Sequence, residues 1–335
     1  MPTPIDSLLD KIADVRIAVY GDLCLDAYFI LDPRGSEVSV ETGLAGEAVA
    51  KQYYSLGGGA NVVANVAALK PKAVRAIGAI GGDLFGREMR RQFAELGVDT
   101  AGLVEQAERF DTTVFGKRVL EGAERARLDF GFFNERSEQT DLALLGALRD
   151  ALDWADAVIV NQQVPGSMSE RFVDGVNALL RERPDAIVLL DTRHYGDRFE
   201  NVIRKTNAVE AARLCGVDAD YSDVIPYDNL KRYATTLFER SGRTVFCSRG
   251  PRGILGVNRN GLFEEPGVRI AGKTDPVGAG DTAASALACA LAAGATPREA
   301  ARLANLAASV TVRKLYITGT ATPEEVREAA LSFDE

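Results

Sequence analysis

The feature that most constrains this chain is an alternation. Short runs rich in apolar and β-branched residues (VRIAVYGDL from residue 15, AVRAIGAIG from 73, AVIVNQQ from 157, AIVLLDTR from 186, TVFCSRG from 244) are bounded by Gly, Asp or charge clusters, with helical patterns between them. They read as buried strands joined by crossover helices, which gives a parallel sheet with helices on both faces. Two helix starts are sharply marked. Thr296-Pro297-Arg298-Glu299 and Thr322-Pro323-Glu324-Glu325 each place an N-cap, a first-turn proline and a glutamate three residues on. At 335 residues the chain is long for one domain, yet α/β folds of this size form single units around one large core.

Two segments break the rhythm. Residues 27–54 and 109–134 look like strands with no crossover helix between them. With no linker or low-complexity stretch in the chain, they predict a small β-sheet inserted into the main domain: a lid over the strand C-termini, or an extra edge layer. The NRNG at 258–261 predicts a hairpin.

Composition closes off several classes of function. A net charge of -9 and the lack of any basic run argue against a broad nucleic-acid surface while leaving room for a local cationic pocket. The longest apolar stretches, such as 283–293, are too short to span a membrane, and the first residues carry acids where a secretion signal needs bases. The expectation is a cytoplasmic protein that binds neither nucleic acid nor membrane. Cys24, Cys215, Cys247 and Cys289 show no C-x-x-C spacing and read as buried reduced thiols. His194 is the only histidine, so a multi-histidine metal site has no ligands to draw on and a structural or surface role is expected for it.

The chemistry gathers in DPVGAGDTAASALACALAAG, residues 275–294. Gly278 and Gly280 let a ligand approach the backbone, and a helix starting at Asp281 leaves N–H groups without intrahelical partners, so the turn is an anion hole. An aspartate in that hole would repel a dinucleotide pyrophosphate, but it suits phosphoryl transfer, which needs a base for the attacking hydroxyl and dipoles for the moving phosphoryl group. On this reading Asp281 is the base, and the N–H groups of Gly278, Ala279 and Gly280 stabilise the transition state. Simple N-capping by Asp281 is the competing reading. A second turn, LGGGANVVANVAAL at 56–69, sets three glycines before a helix on which Asn61 and Asn65 share a face, and asparagine both donates and accepts as a polyhydroxylated ligand requires. Asp22 and Asp26 end a strand upstream; capping and turn formation fit Asp22 better, sugar hydroxyls fit Asp26 better.

These residues resemble a known family. GGGAN at 57–61 and DPVGAGD at 275–281 are similar, in order and separation, to the two signatures of the ribokinase-like (PfkB) carbohydrate kinases, across about residues 15–330. KTNAVEAARL at 205–214 resembles the family's Asn-x-x-Glu segment, and SRGPRG at 248–253 its nucleotide-side loop. The resemblance implies a three-layer αβα sandwich with a mostly parallel sheet, one kinase domain over 1–335, and a β lid that keeps water from ATP. It implies Asp281 as base, and Asp26, Gly57, Gly58 and Asn61 as sugar contacts. Asn207 and Glu210 would lie near the triphosphate, Glu210 ordering Mg2+ largely through water. Ser248, Gly250 and Gly253 would line the nucleotide, and Asn305 would sit beside the adenine. Asp275 and Val277 match a K+ site near the loop entrance, and pairing through the lid implies a homodimer.

Departures bear on the substrate. Pro276 stands where threonine is usual and removes one N–H at the loop entrance; Cys24 and NQQ at 161–163 also differ from the common pattern. GDLCLDAYF, RARLDF at 125–130 and GTATPEE at 319–325 look most like heptose 7-phosphate kinases. Lys117, Arg118, Arg125 and Arg127 are cation candidates for a substrate phosphate, or else a solvated lid face. A kinase for an unphosphorylated sugar or nucleoside, with Asn161, Gln162 and Gln163 near the ligand, is the alternative enzyme. A sugar- and nucleotide-binding regulator without turnover is the alternative outside catalysis. The first strand lacks G-x-G-x-x-G, which disfavours a dinucleotide-dependent oxidoreductase.

Overall fold

The computed structural model describes residues 4–315 and 317–333. The strands are β1 (Arg16–Gly21), β2 (Leu23–Leu31), β3 (Val49–Gly58), β4 (Ala73–Gly81), β5 (Asp99–Gln106), β6 (Thr113–Leu120), β7 (Ala123–Glu124), β8 (Leu128–Phe130), β9 (Ala157–Gln162), β10 (Val188–Thr192), β11 (Ile203–Asn207), β12 (Val245–Ser248), β13 (Ile254–Asn258) and β14 (Gly261–Glu265). The helices are α1 (Pro4–Ile12), α2 (Gly59–Ala68), α3 (Leu84–Glu95), α4 (Glu138–Trp154), α5 (Glu170–Glu182), α6 (Ala208–Leu214), α7 (Tyr227–Ser241), α8 (Ala279–Ala292), α9 (Pro297–Thr311) and α10 (Pro323–Phe333).

Nine strands form the main sheet in the order β14-β13-β12-β11-β10-β9-β1-β4-β5, parallel from β12 to β5. Only β13 and β14 run antiparallel, as the predicted hairpin that turns at Asn258–Gly261. Side chains alternate across the sheet as pleating requires: Ile17 and Val19 enter the core beneath α1, α2, α3, α8, α9 and α10, while Ala18 and Tyr20 enter the core beneath α4 and α5. The sandwich therefore has three layers. The run of small residues in α8 has a packing reason, since it lets α8 lie close against both α2 and α9 in the deepest part of that core. Both predicted capping boxes are present, at Thr296/Glu299 and Thr322/Glu325.

The smaller sheet has the order β3-β2-β6-β7, and β8 also pairs with β6. It covers the C-terminal ends of the main strands because β2 follows β1 after a single residue, Asp22, and β3 runs directly into α2. Residues 32–48 within the predicted lid segment form no named strand; they hold a short 3-10 turn at Pro33–Gly35 and one bridge between Val38 and Ala45. Two strands escape the apolar-run criterion. β5 lies at the sheet edge, and β11 reads Ile-Arg-Lys-Thr-Asn with Arg204 and Lys205 both buried. All four cysteines are free, three of them buried. Among the described residues no helix is long and apolar enough to cross a membrane.

Candidate active site

A cleft of about 660 Å³ opens where the C-terminal ends of the central strands meet the lid. Its walls carry Gly57 and Gly58 at one end and Asn207, Glu210 and Ser248 at the other, with Asp281 between them. A cavity of equal size lies at the opposite end of the strands, between Arg243, Asn258 and Arg298, and neither glycine-rich turn reaches it.

Helix α8 begins at Ala279, two residues before the expected start, with Gly278 as its N-cap in the left-handed region (φ 79°). Asp281 is thus the third helical residue and makes no capping bond, so the capping reading fails. Asn61 Nδ2 donates to its Oδ2 at 2.7 Å and Gln163 Nε2 donates to its Oδ1 at 3.0 Å. Burial pushes the Asp281 pKa up to about 6; the negative charge of Asp191 adds to this, while the Asn61 hydrogen bond, Lys205 and Arg193 oppose it.

The turn before α8 differs from the expected anion hole in one member. The Ala279 N–H donates to the Pro276 carbonyl at 3.1 Å, because the turn closes on itself there, and Ala279 is not among the cleft residues. The N–H groups of Gly278, Gly280 and Asp281 have no hydrogen-bond partner among the described residues. Beside them lies a cation that sequence reasoning missed. Lys205 Nζ sits 3.1 Å from where a Cβ on Gly280 would be and donates to Asp191 Oδ2 at 3.0 Å. Burial alone would lower the Lys205 pKa, but Asp191, Glu210 and Asp281 outweigh it and the net shift is upward, keeping the ammonium charged. Two adjacent basic residues in the short stretch that runs straight into the Asn207–Glu210 helix start were the available signal.

On the lid side, Asp26 is 7% exposed and pairs with Lys117 Nζ at 3.2 Å, which also donates to the Tyr28 hydroxyl. Burial raises the Asp26 pKa against the pull of Lys117. Gly57 packs beside the Asp26 carboxylate, and Gly58 (φ 52°) turns the chain from β3 into α2 with no room for a Cβ beside the Asp22 carbonyl. Asn161 is 1% exposed, borders the cleft, and its Nδ2 has no partner. Asn61 needs correction: it is buried behind the cleft wall with its amide spent on Asp281, and Asn65 and Thr282 extend the chain behind it at 3.1 and 2.7 Å. Arg118 also needs correction. Alternation along β6 sends Lys117 into the cleft and Arg118 to the other face, where it pairs with Glu47. Arg127 faces the cleft over the Phe115 ring and Arg125 does not border it. Asp22 organises structure, accepting from the Gln163 and Val164 N–H groups and the Ser167 hydroxyl.

On the far side Asn207 and Glu210 form a capping box at the start of α6, each side chain bonded to the other's backbone N–H, and both border the cleft. Burial raises the Glu210 pKa while Lys205 draws it down. Ser248 borders the cleft, whereas Gly250 and Gly253 do not. Gly253 is glycine because a Cβ would strike the Glu265 carbonyl, and Gly250 (φ 57°) serves the turn before it. Asn305 is likewise displaced: it donates to the Glu265 and Pro266 carbonyls and braces β14 against α9. Asp275 accepts from the Val277 N–H at 3.0 Å, which shapes the entrance of the turn. His194 and Arg193 border the cleft, so the histidine lies on the cleft surface rather than remote from it. Among the described residues no group of three or more acidic, His or Cys side chains forms a metal cage.

A carboxylate in the first turn of a helix, unpaired backbone donors and a cleft shared by two polar surfaces on an αβα sandwich are what a phosphotransferase with an alcohol group as acceptor requires, and the family match places the chain in that class. The chain belongs to the pfkB family of carbohydrate kinases, whose profile matches residues 15–325. It is similar to the "Bifunctional protein HldE" of Caulobacter vibrioides, with 32% identity over 96% of this chain and 64% of that one. The chain therefore spans just under two thirds of that relative's length. Its fold matches phosphofructokinase-2 from Escherichia coli in complex with potassium (TM-score 0.76, 18% identity, 96% and 100% of the two chains). Ribokinase from Thermotoga maritima gives a TM-score of 0.71 at 20% identity, over 95% and 99% of the two chains.

Proposed function

We propose that this chain is an ATP-dependent kinase that moves the γ-phosphoryl group to a hydroxyl of a sugar or sugar phosphate, with Asp281 as general base. The observation that carries the reading is the seat of Asp281, whose carboxylate is tied at both oxygens to amides that cannot take a proton. It is thus ready to accept one from an acceptor hydroxyl. The hydroxyl oxygen then forms its bond to phosphorus as the bond from phosphorus to the ADP oxygen breaks, and ADP leaves with the electron pair. The N–H groups of Gly278, Gly280 and Asp281, with the Lys205 ammonium beside them, are aimed at the charge on the transferring group.

Asn207, Glu210 and Ser248 are the side on which we seat the triphosphate; Gly57, Gly58, Asp26 and Asn161 are the side for the acceptor. The unpartnered Asn161 amide supports a ligand oxygen there, since a buried donor without a partner is costly. Glu210 is the group offered to Mg2+ through water, and the lack of a protein cage among the described residues suits a metal that keeps its hydration. Bound with ATP, Mg2+ would neutralise phosphate charge. Asp275 and Val277 are where we would seek K+. Lys117 and Arg127 facing the cleft favour a phosphorylated acceptor, in line with the heptose 7-phosphate kinases that the sequence resembles. The exposed Val38, Val40 and Leu44 of the lid offer the surface for a homodimer.

The test is ADP formation from ATP and Mg2+ with ribose, fructose 6-phosphate, a heptose 7-phosphate and adenosine, for the unaltered protein and for Asp281→Asn. The substitution is expected to leave binding of an ATP analogue intact and to lower kcat about a thousandfold. Near-normal turnover in the variant refutes the role of Asp281.

A further inference from the structure

We propose that Gln163 is the positioning residue of this site: its carboxamide holds Asp281 in the orientation from which the carboxylate takes the proton, and at the same time aims Asn161 at the acceptor. The inference rests on Asp281 being the base. It starts from the end of β9, where Asn161, Gln162 and, one residue past the strand, Gln163 all border the cleft; the Gln162 amide is taken up by the fold, accepting from the Thr192 hydroxyl at 2.7 Å and donating to the Val164 carbonyl, which leaves Asn161 and Gln163 to face Asp281 and the acceptor side.

The backbone at Gln163 is fixed from behind. Its N–H donates to the half-buried Asp22 carboxylate at 2.8 Å, and the same oxygen accepts from the Val164 N–H and the Ser167 hydroxyl. From that anchored position the side-chain nitrogen has two hydrogens to place and two acceptors in reach: Asp281 Oδ1 at 3.0 Å and Asn161 Oδ1 at 3.4 Å. Each half of the pair has a consequence. The terminal torsion of an aspartate is broad and Asn61 alone ties only one oxygen, so without Gln163 the carboxylate would swing about the Asn61 bond. With its oxygen toward Gln163, Asn161 presents its Nδ2 as the free donor, and that atom is buried, bordering the cleft and unpartnered.

A carboxamide suits this place better than a carboxylate or an ammonium. The groups facing Asp281 from the surrounding elements are Asp191 from β10, Lys205 from β11, Arg193 beyond β10 and the Cys24 thiol from β2, with Glu210 behind Lys205. Opposite charges already stand there in near balance. A neutral donor adds orientation without adding a charge, and it cannot compete for the proton.

The decisive variants are Gln163→Met, which keeps the length and removes the donor, and Gln163→Glu, which keeps the shape and adds a like charge. Both are assayed over pH 5–9 with ATP, Mg2+ and whichever of the four acceptors gives the highest kcat/KM. For the Met variant kcat at neutral pH is expected to fall about tenfold to a hundredfold, the scale of a hydrogen bond to a charged group, with acceptor KM rising by about threefold to tenfold as Asn161 loses its aim. Its acid limb is expected to move to higher pH, because the ionised form has lost a donor. In the Glu variant the limb should move further or split in two, as for coupled carboxylates. An unmoved acid limb with kcat within about twofold in both variants, or a rise in acceptor KM as the only change, overturns the proposal. If Gln163→Met fails to fold, the position of the acid limb in the Glu variant decides the question by itself. A dead Asp281→Asn enzyme with a normal Gln163→Met enzyme sinks this inference alone, whereas an active Asp281→Asn enzyme sinks the assignment of the base.

Discussion

Replacing Asn61 by alanine separates two roles that a glycine-asparagine turn can play. If Asn61 held the sugar, its loss would raise the acceptor KM. The geometry assigns it elsewhere: Nδ2 donates to Asp281 Oδ2 at 2.7 Å, and the side chain is 2% exposed, behind the cleft wall. A hydrogen bond to a buried charged group contributes about 1.5–3 kcal/mol, and about 1.36 kcal/mol is tenfold in rate. Asn61→Ala is therefore expected to lower kcat by roughly 10- to 150-fold, with KM for either substrate changed only slightly. The fold should survive. Asn65 Nδ2 would lose the Asn61 Oδ1 atom but keep the Asn61 backbone carbonyl at 2.9 Å, so the helix retains that bond. Steady-state kinetics by ADP release, beside a thermal melt and analogue binding, reads all of these. A large rise in acceptor KM at unchanged kcat would refute the reasoning and return Asn61 to the sugar.

Three further outcomes can be checked. With Asp281 pushed up to about 6 and required in its ionised form, log kcat/KM should fall with unit slope below about pH 6 and level off above it; an acid limb centred below about pH 5 would contradict the burial of this carboxylate. Lys117→Ala should weaken acceptor use, through the loss of the cleft cation and the release of buried Asp26, whereas Arg118→Ala, on the other face, should leave KM within about twofold. Kinetics on the pair decide whether β6 is in the register described. Gly58→Ala places a Cβ 2.8 Å from the Asp22 carbonyl at a φ of 52°, and should cost about 2–4 kcal/mol in chemical denaturation; a loss below about 1 kcal/mol would mean that the corner relaxes.

The architecture was legible because it rests on short-range regularities. Apolar runs marked β1, β4, β9, β10 and β12, and the capping boxes of α9 and α10 are written in four consecutive residues each. The same local logic failed where a strand breaks its own pattern. β11 carries Arg204 and Lys205 into the interior, which no hydropathy rule anticipates, because their partners come from elsewhere: the Gly196 and Phe199 carbonyls for one, Asp191 for the other.

The site divides along the same line. The sequence alone determined that a glycine-rich turn and an aspartate meet at a helix start and that a second such turn exists, since glycine and helix-start chemistry act over three or four residues. Which groups touch Asp281 was decided only by tertiary structure. Asn61 lies 220 residues away along the chain and Gln163 lies 118, and an amide can serve a sugar or a carboxylate equally well until the fold selects its neighbour. The displaced residues follow the same rule, for the faces of Arg118 and Asn305 were set by strand register and helix packing. Polar side chains have several partners open to them, and only the assembled sheet and its lid choose among them.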